Sequence, residues 1–137
     1  MRLGICDLGA GAGLPGVPLR ILWPHGHYLW IERAQRRALF LENVNARLRL
    51  GMQGVCASAQ AWFGGGQLAD CIVSRAFMPW RKLLALCTSA LTQAGAIIIM
   101  ANSPPPMLPP PWRVAASLAY APCGKQRWLW AARRTDQ

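Results

Sequence analysis

The sequence predicts an α/β fold, a doubly wound and mostly parallel sheet that ends in an antiparallel hairpin. Two observations lead to this expectation. Short apolar runs alternate with segments of helical periodicity up to residue 100, which is the pattern of parallel strands joined by helices. A glycine cluster directly follows the first apolar run, as it does where such a strand leads into a ligand-binding loop. The chain has 137 residues, which predicts a single domain over 1–137.

Two strands and a short helix are predicted at the start of the chain. The apolar run 3–7 predicts the first strand, and the glycine-rich segment 9–16 predicts a loop. A short helix follows, because prolines are tolerated in a first helical turn, and Pro24 ends it. The run 27–31 predicts the second strand, which an acid, Glu32, follows.

The middle of the chain predicts two more helices and two more strands. Apolar residues recur at helical spacing over 34–50 while the arginines fall mostly elsewhere, so this helix has a basic outer side. Residues 53–57 predict the third strand, 62–66 a loop and 70–74 the fourth strand. A helix over 79–91 opens with proline and is followed by glycine.

The end of the chain predicts strands without helices. Residues 96–100 predict the fifth strand. The proline-rich segment 104–111 cannot join a sheet ladder, so we expect an extended connector. The stretches 113–120 and 126–132 predict an antiparallel hairpin around the turn 122–124.

The composition is strongly basic. There are 15 Lys and Arg residues against 5 Asp and Glu, which gives a net charge of +10. Such an excess attracts polyanions, so RNA, DNA and acidic membranes are the leading partners, with solvated surface charge as the alternative. The uncharged stretch 83–101 is nearly long enough to span a membrane. Polar residues such as Thr88 and Gln93 interrupt it, which favours a buried helix and strand.

The cysteines and histidines argue against several classes of site. The five cysteines are widely spaced, with no C-x-x-C pair and no histidine at ligand spacing, so we expect neither a disulfide framework nor a metal site. Free thiols indicate a reducing cytoplasm, and the early Asp7 leaves no room for the apolar core of a signal peptide. No Ser/His/Asp or Cys/His set is recognisable, which argues against a hydrolase.

Two nucleotide-binding motifs overlap in the segment 7–19, DLGAGAGLPGVPL. Its later part fits the dinucleotide pattern G-x-G-x-x-G, and its first part fits the D-x-G-x-G-x-G pattern of S-adenosylmethionine-binding loops. A carboxylate at Asp7 would repel a pyrophosphate but attract the ammonium and sulfonium groups of S-adenosylmethionine. Pro15 also removes an N–H that a pyrophosphate would use. The segment therefore favours the methyl donor, and a role of Asp7 as a turn former is the alternative.

Two further segments follow predicted strands at the same sheet edge. Glu32 comes 25 positions after Asp7, near the spacing at which an acid hydrogen-bonds a ribose hydroxyl pair. The alternative is an exposed acid paired with Arg33 or Arg36. After the third strand, the segment 58–60 offers backbone N–H groups and an amide to an adenine edge.

Arg75 and Phe77 follow the fourth predicted strand, in the crevice where parallel sheets hold their ligands. Arg75 can neutralise a phosphate or donate to a guanine oxygen, and Phe77 can stack on a base. The alternatives are an ion pair of Arg75 with Asp7 or Glu32 and a core position for Phe77.

Three segments together carry a family resemblance. They are the loop 7–19, Glu32 followed by Arg36-Arg37 and Phe40-Leu41, and the run Val73-Ser74-Arg75-Ala76-Phe77. With them the sequence resembles the small-subunit ribosomal RNA guanine-N7 methyltransferases, also called the glucose-inhibited division protein B family. The similarity extends from residue 3 to about residue 133.

The resemblance implies a Rossmann-like methyltransferase fold that uses S-adenosylmethionine to methylate N7 of a guanine in 16S ribosomal RNA, free or in the small ribosomal subunit. Membrane and metal are not implied. The expected cofactor contacts, from motifs and resemblance together, are Asp7, Gly9, Gly11, Gly13, Leu14, Glu32, Arg33, Ser58, Ala59, Gln60 and Arg75. Arg75 is also the candidate catalytic residue. The expected RNA contacts are the basic helix and Lys125, Arg127, Arg133 and Arg134.

Three features depart from the family pattern. Family members usually carry a helical segment before the first strand, which would cover the cofactor and help grip RNA, and this sequence starts almost at that strand. The basic residue expected just after the fifth strand is missing from 99–102, and Ala59-Gln60 stands where an acid is frequent. We therefore expect these 137 residues alone to be weakly active or inactive. The alternatives are a relative that binds S-adenosylmethionine or RNA without turnover and a nucleotide-dependent oxidoreductase.

Overall fold

A computed structural model describes residues 2–75 and 77–135, and its elements follow the predicted order with one addition. The strands are β1 (Arg2–Leu8), β2 (Tyr28–Ile31), β3 (Gln53–Val55), β4 (Leu68–Arg75), β5 (Leu91–Ala101), β6 (Trp112–Tyr120) and β7 (Arg127–Arg134). The helices are α1 (Gly16–Leu22), α2 (Gln35–Leu48), α3 (Ala59–Phe63) and α4 (Trp80–Cys87). A 3-10 turn over Pro122–Gly124 joins β6 to β7.

The seven strands form one sheet in the order β3-β2-β1-β4-β5-β7-β6. The first five strands in this order are parallel, and β7 runs antiparallel to both β5 and β6. The strand order reverses at β1, so the chain winds outward in both directions from the centre. This arrangement confirms the predicted doubly wound sheet with a terminal antiparallel hairpin.

Helices cover both faces of the sheet, and a separate apolar cluster fills each interface. Along β2, Leu29 and Ile31 belong to one cluster and Tyr28 and Trp30 to the other, because successive strand side chains point to opposite faces. The first cluster includes residues of α3 and α4, among them Leu83, and the second includes residues of α2. β2 is thus buried on both sides, which explains its continuous apolar run.

Two expectations about helices were wrong. Residues 62 and 63 were expected in a loop, but they end α3, whose first turn is capped by Ser58 and whose Phe63 is buried in the core. The helix expected over 79–91 ends at Cys87 instead. Leu91 already pairs with Ala69 in the sheet, because this longer β5 begins before the glycine that was expected to follow the helix.

The described residues also bear on a membrane span, a metal site and the state of the cysteines. No helix in the described part of the chain is long and apolar enough to cross a membrane. Residues 2–75 and 77–135 hold no group of three or more His, Cys, Asp or Glu side chains placed to bind a metal ion. All five cysteines are free thiols, and burial raises the pKa of Cys87 to about 12.

Candidate functional site

A cavity of about 640 Å³ opens at the edge of the sheet where the parallel strands end. Its walls are the segments that follow β1, β2, β3 and β4, which are adjacent in the sheet. Residues distant in sequence therefore meet here, in a volume typical of small-molecule sites. Nine of the expected cofactor contacts line it: Gly9, Gly11, Leu14, Glu32, Arg33, Ser58, Ala59, Gln60 and Arg75.

Glu32 is a buried acid at the end of β2. It is 5% exposed, although it lines the cavity. Its Oε2 accepts a hydrogen bond from the Gly11 N–H at 2.9 Å, and its Oε1 accepts one from the Ala34 N–H at 3.1 Å. These bonds hold the carboxylate at the cavity wall, and each oxygen keeps a second lone pair for a ligand. The position does not match the exposed, arginine-paired acid that was the alternative.

The glycine loop closely approaches the opposite wall of the cavity. Gly9 has a φ of +62°, and a Cβ at this position would overlap the Phe77 ring, so glycine is required here. Its N–H donates to the Ile31 carbonyl at 3.0 Å, which ties the loop to the end of β2. Gly13 is buried on the far side of the loop, against Val17. It is one of two expected contacts that do not line the cavity; Asp7 is the other.

Asp7 lies behind the glycine loop and is 1% exposed. Its Oδ2 has no hydrogen-bond partner among the described residues. Burial raises the pKa of this carboxyl to about 7, against the opposing effects of the nearby Gly16 backbone N–H and the Arg75 charge. The neighbouring Glu32 carboxylate also raises it. A cation close to this carboxyl would lower its pKa and favour the ionised form.

The segment after β3 enters the cavity as the start of α3. The Ser58 Oγ accepts a hydrogen bond from the Ala61 N–H at 3.2 Å, so this hydroxyl caps the helix. Ala59 is buried and Gln60 is exposed, and both line the cavity. The amide of Gln60 is therefore the side-chain group of this segment best placed to meet a ligand.

Arg75 and Met78 separate the cavity from a second one. Both residues also line an adjoining cavity of about 620 Å³, beside the ends of β4 and β5. Phe77 is partly buried against the core and lines the first cavity, so the alternative of a core position holds in part. Ala76 of the same motif lies outside the described residues.

Several residues that line the two cavities were not assigned to the site from the sequence, among them Arg37, Met78 and Arg127. Arg37 lines the first cavity, and its position four residues after Arg33, near the start of a helix, was a usable signal. Met78 lines both cavities, but no motif includes it. Arg127 lines the second cavity, although the sequence placed it among the RNA contacts.

The predicted basic surface divides into two groups. Arg36 and Arg47 on α2 are exposed, as expected for the outer side of that helix. Arg134 instead donates to three carbonyl oxygens at the start of β5 and just before it, at 2.9 to 3.1 Å. Arg133 donates to the Ala94 carbonyl at 2.5 Å. These two arginines tie β7 to the beginning of β5, and their expected contact with RNA stays a prediction.

Comparison with known proteins identifies similar sequences and similar folds. Residues 1–104 match the GidB family model, described as rRNA small subunit methyltransferase G. The Ribosomal RNA small subunit methyltransferase G of Oleidesulfovibrio alaskensis is 39% identical over 139 residues, covering 93% of this chain and 61% of the relative. The protein of the same name from Nitratidesulfovibrio vulgaris is 40% identical over 131 residues, covering 94% of this chain and 60% of the relative. The chain thus spans about three fifths of the length of these relatives.

A solved structure with the same fold supports the architecture. The magnesium protoporphyrin IX methyltransferase of Synechocystis PCC 6803, solved with bound SAM, superposes with a TM-score of 0.67 at 12% identity. The match covers 98% of this chain and 71% of that structure. The hairpin and the parallel strands of this chain therefore belong to one known architecture.

Proposed function

Because the chain belongs to the rRNA small subunit methyltransferase G family, we propose that it transfers the methyl group of S-adenosylmethionine to N7 of a guanine in 16S ribosomal RNA. The observation that carries the proposal is Glu32, a buried carboxylate fixed by two backbone N–H groups in the wall of a cavity that the glycine loop closes. A carboxylate held in this way can accept hydrogen bonds from the two hydroxyls of a ribose.

The residues present fit the methyl donor at both of its polar ends. Glu32 and Gln60 would hold the ribose and the adenine, and Asp7 would attract the cationic end from behind the loop. When bound, S-adenosylmethionine supplies an electrophilic methyl group. Guanine N7 carries an available lone pair, so the chain needs no general base. Its task is to align donor and acceptor, which supplies about 7 to 11 kcal/mol in well-oriented reactions.

Calorimetry with S-adenosylhomocysteine tests the role of Glu32. We expect Glu32→Ala to weaken binding by roughly tenfold to a hundredfold, because a charge-assisted hydrogen bond is lost. Glu42→Ala is the matched control, since Glu42 is an exposed acid on α2 outside the cavity. Equal affinity of the Glu32→Ala and Glu42→Ala variants would remove Glu32 from the site.

Transfer of a radiolabelled methyl group to unmodified small-subunit RNA tests the activity. Label at guanine N7 supports the proposal. Binding of S-adenosylhomocysteine without any transfer, to free RNA or to the small subunit, would favour a relative that binds without turnover. Binding of NAD in place of the methyl donor would favour an oxidoreductase. We place the activity in the cytoplasm, where its proposed RNA substrate resides.

A further inference from the structure

The two edges of the sheet differ in how well they are protected against further pairing. One edge is β3, which has only three residues. The other is β6, which has nine residues and, among the described strands, pairs only with β7. An edge strand presents a row of free backbone N–H and C=O groups, and proteins protect such edges with short strands, charged side chains or proline. The short β3 is protected in this way, whereas β6 is long enough to pair with a further strand.

The segment 116–120, with the sequence ASLAY, is the regular and least protected part of this edge. A bulge lies between Val114 and Ala116, and from Ala116 to Tyr120 each residue is in register with β7. The segment contains no charged residue and no proline. Residues 116–119 are exposed, and the side chain of Leu118 at its centre is 59% exposed. A large apolar side chain is thus held in water at the middle of an open strand edge.

We infer that the segment 116–120 pairs in antiparallel fashion with the same segment of a second copy of this chain, about a two-fold axis at Leu118. Such an axis brings one surface of each copy together and closes the assembly at two chains. Leu118 then lies opposite Leu118 of the second copy, Ala116 opposite Tyr120, and Ser117 opposite Ala119. This surface has no part in the proposed methyl transfer, so the inference goes beyond that function.

The side chains of β6 and β7 favour this register. Within the sheet Leu118 is opposite Leu129 of β7, and Leu129 is partly buried. Residues that lie opposite each other on neighbouring strands share one face of the sheet. The pairing of two copies would therefore form a continuous row of four leucines across the axis, Leu129 and Leu118 from each copy. The exposed Leu118 side chains would bury part of their surface against each other, which favours association.

The charge distribution favours a protein strand over an anionic partner at this edge. The net charge of +10 repels two copies of the chain from each other, but the paired segment itself is uncharged. The charged residue of β6 is Arg113, which lies before the bulge and outside the pairing. No like charges therefore lie opposite each other across the axis. RNA would find no cation along 116–120, whereas a second strand would find free backbone donors and acceptors.

The direction of β6 determines where the two donor cavities lie in such a dimer. β6 runs parallel to β5, because both are antiparallel to β7. An antiparallel pairing of β6 with its copy therefore reverses the direction of all parallel strands in the second chain. The two cavities open at opposite edges of the joint sheet, so each chain of the dimer should bind one molecule of S-adenosylhomocysteine.

Sedimentation velocity of the 137-residue chain tests the association. Five paired residues form less than a standard interface, so we expect a dissociation constant of roughly 10 to 100 µM and a monomer–dimer transition between about 5 and 500 µM. Added salt should strengthen the dimer, because it screens the net charge of each copy. A chain that stays monomeric over this range, or that forms open-ended aggregates in place of a dimer, would overturn the inference.

Charge substitutions at Leu118 test the position of the axis. Leu118→Lys and Leu118→Glu each place like charges opposite each other and should each raise the dissociation constant by about tenfold or more. An equimolar mixture of the two variants should restore the dimer, with one chain of each kind. Leu39→Lys is the matched control, because Leu39 is 63% exposed on α2, and it should change the dissociation constant less than twofold. Dimers that survive both Leu118 substitutions, or that Leu39→Lys weakens equally, would place the interface elsewhere.

Hydrogen exchange tests the backbone pairing directly. The outward N–H groups of 116–120 should exchange more slowly at high than at low protein concentration, while those of β3 at the other edge should exchange equally at both. A dimer that forms without this protection would overturn the pairing of β6. Unchanged affinity of each variant for S-adenosylhomocysteine shows that its fold is intact.

Discussion

Replacement of Asp7 by Asn should stabilise the protein, and more so as the pH rises. Asp7 is 1% exposed, and burial raises its pKa from 3.8 to about 7. Between these two values the folded state holds a proton that the unfolded state has released. The contribution of Asp7 to the stability of the protein is therefore most favourable below pH 4. This contribution is lost as the pH rises through about 7.

The size of the effect follows from the two pKa values, at about 1.4 kcal/mol for each pKa unit. Relative to a neutral side chain, Asp7 destabilises the folded state by about 2 kcal/mol at pH 5 and about 4 kcal/mol at pH 8. Asn has nearly the same shape and no charge. The stability gained by Asp7→Asn should therefore grow by about 2 to 3 kcal/mol between these two pH values.

Urea unfolding of both proteins at pH 5, 6, 7 and 8 measures this difference. Comparison of the two proteins at each pH cancels the contributions of all other titratable groups. Asp70→Asn is the control, because Asp70 is a partly exposed acid on β4. Parallel stability curves for the wild type and Asp7→Asn would refute the argument, since they would show that Asp7 ionises equally well in the folded and unfolded states.

Two further predictions concern the basic residues. Arg134→Met should lower the free energy of unfolding, measured with urea, by about 2 to 3 kcal/mol, because three carbonyl groups lose a charged donor. Arg113→Met is the control and should change this free energy by less than about 0.5 kcal/mol. Equal effects of the two substitutions would contradict the structural role of Arg134. If α2 binds RNA, replacing Arg36 and Arg47 together by Gln should reduce the slope of log affinity against log salt by about 1.4 to 1.8, measured by filter binding, and an unchanged slope would place the RNA elsewhere.

The parallel half of the fold was predictable because its central strands, such as the fully buried β2, appear as short apolar runs. Helix α3 was missed because five residues are too few to show a helical period, and Phe63 resembles a loop aromatic until it is seen in the core. The early start of β5 was missed for a related reason. Residues 88–91 continue the composition of α4, and their pairing with β4 comes from a distant segment.

Much of the candidate site was predictable from one property of parallel sheets. The segments that follow neighbouring strands meet at one edge, so a glycine cluster after β1 and an acid after β2 had to lie close together. The different positions of the two acids were harder to predict from the sequence. Glu32 lines the cavity and Asp7 lies behind its loop, because Asp7 lies within β1, opposite Trp30, whereas Glu32 follows the last residue of β2.

The basic residues of β7 show where pattern alone was insufficient. In sequence, Arg127, Arg133 and Arg134 are close neighbours and suggest one cationic surface. In the sheet they lie at opposite ends of a strand, about 20 Å apart at 3.4 Å for each residue. Because β7 is antiparallel to β5, its first residue reaches the cavity edge while its last residues reach the start of β5. Strand direction thus divides one cluster of charges into a residue at the edge of the second cavity and two residues that hold β7 against β5, and only the pairing of β7 with β5 reveals which residue belongs to which group.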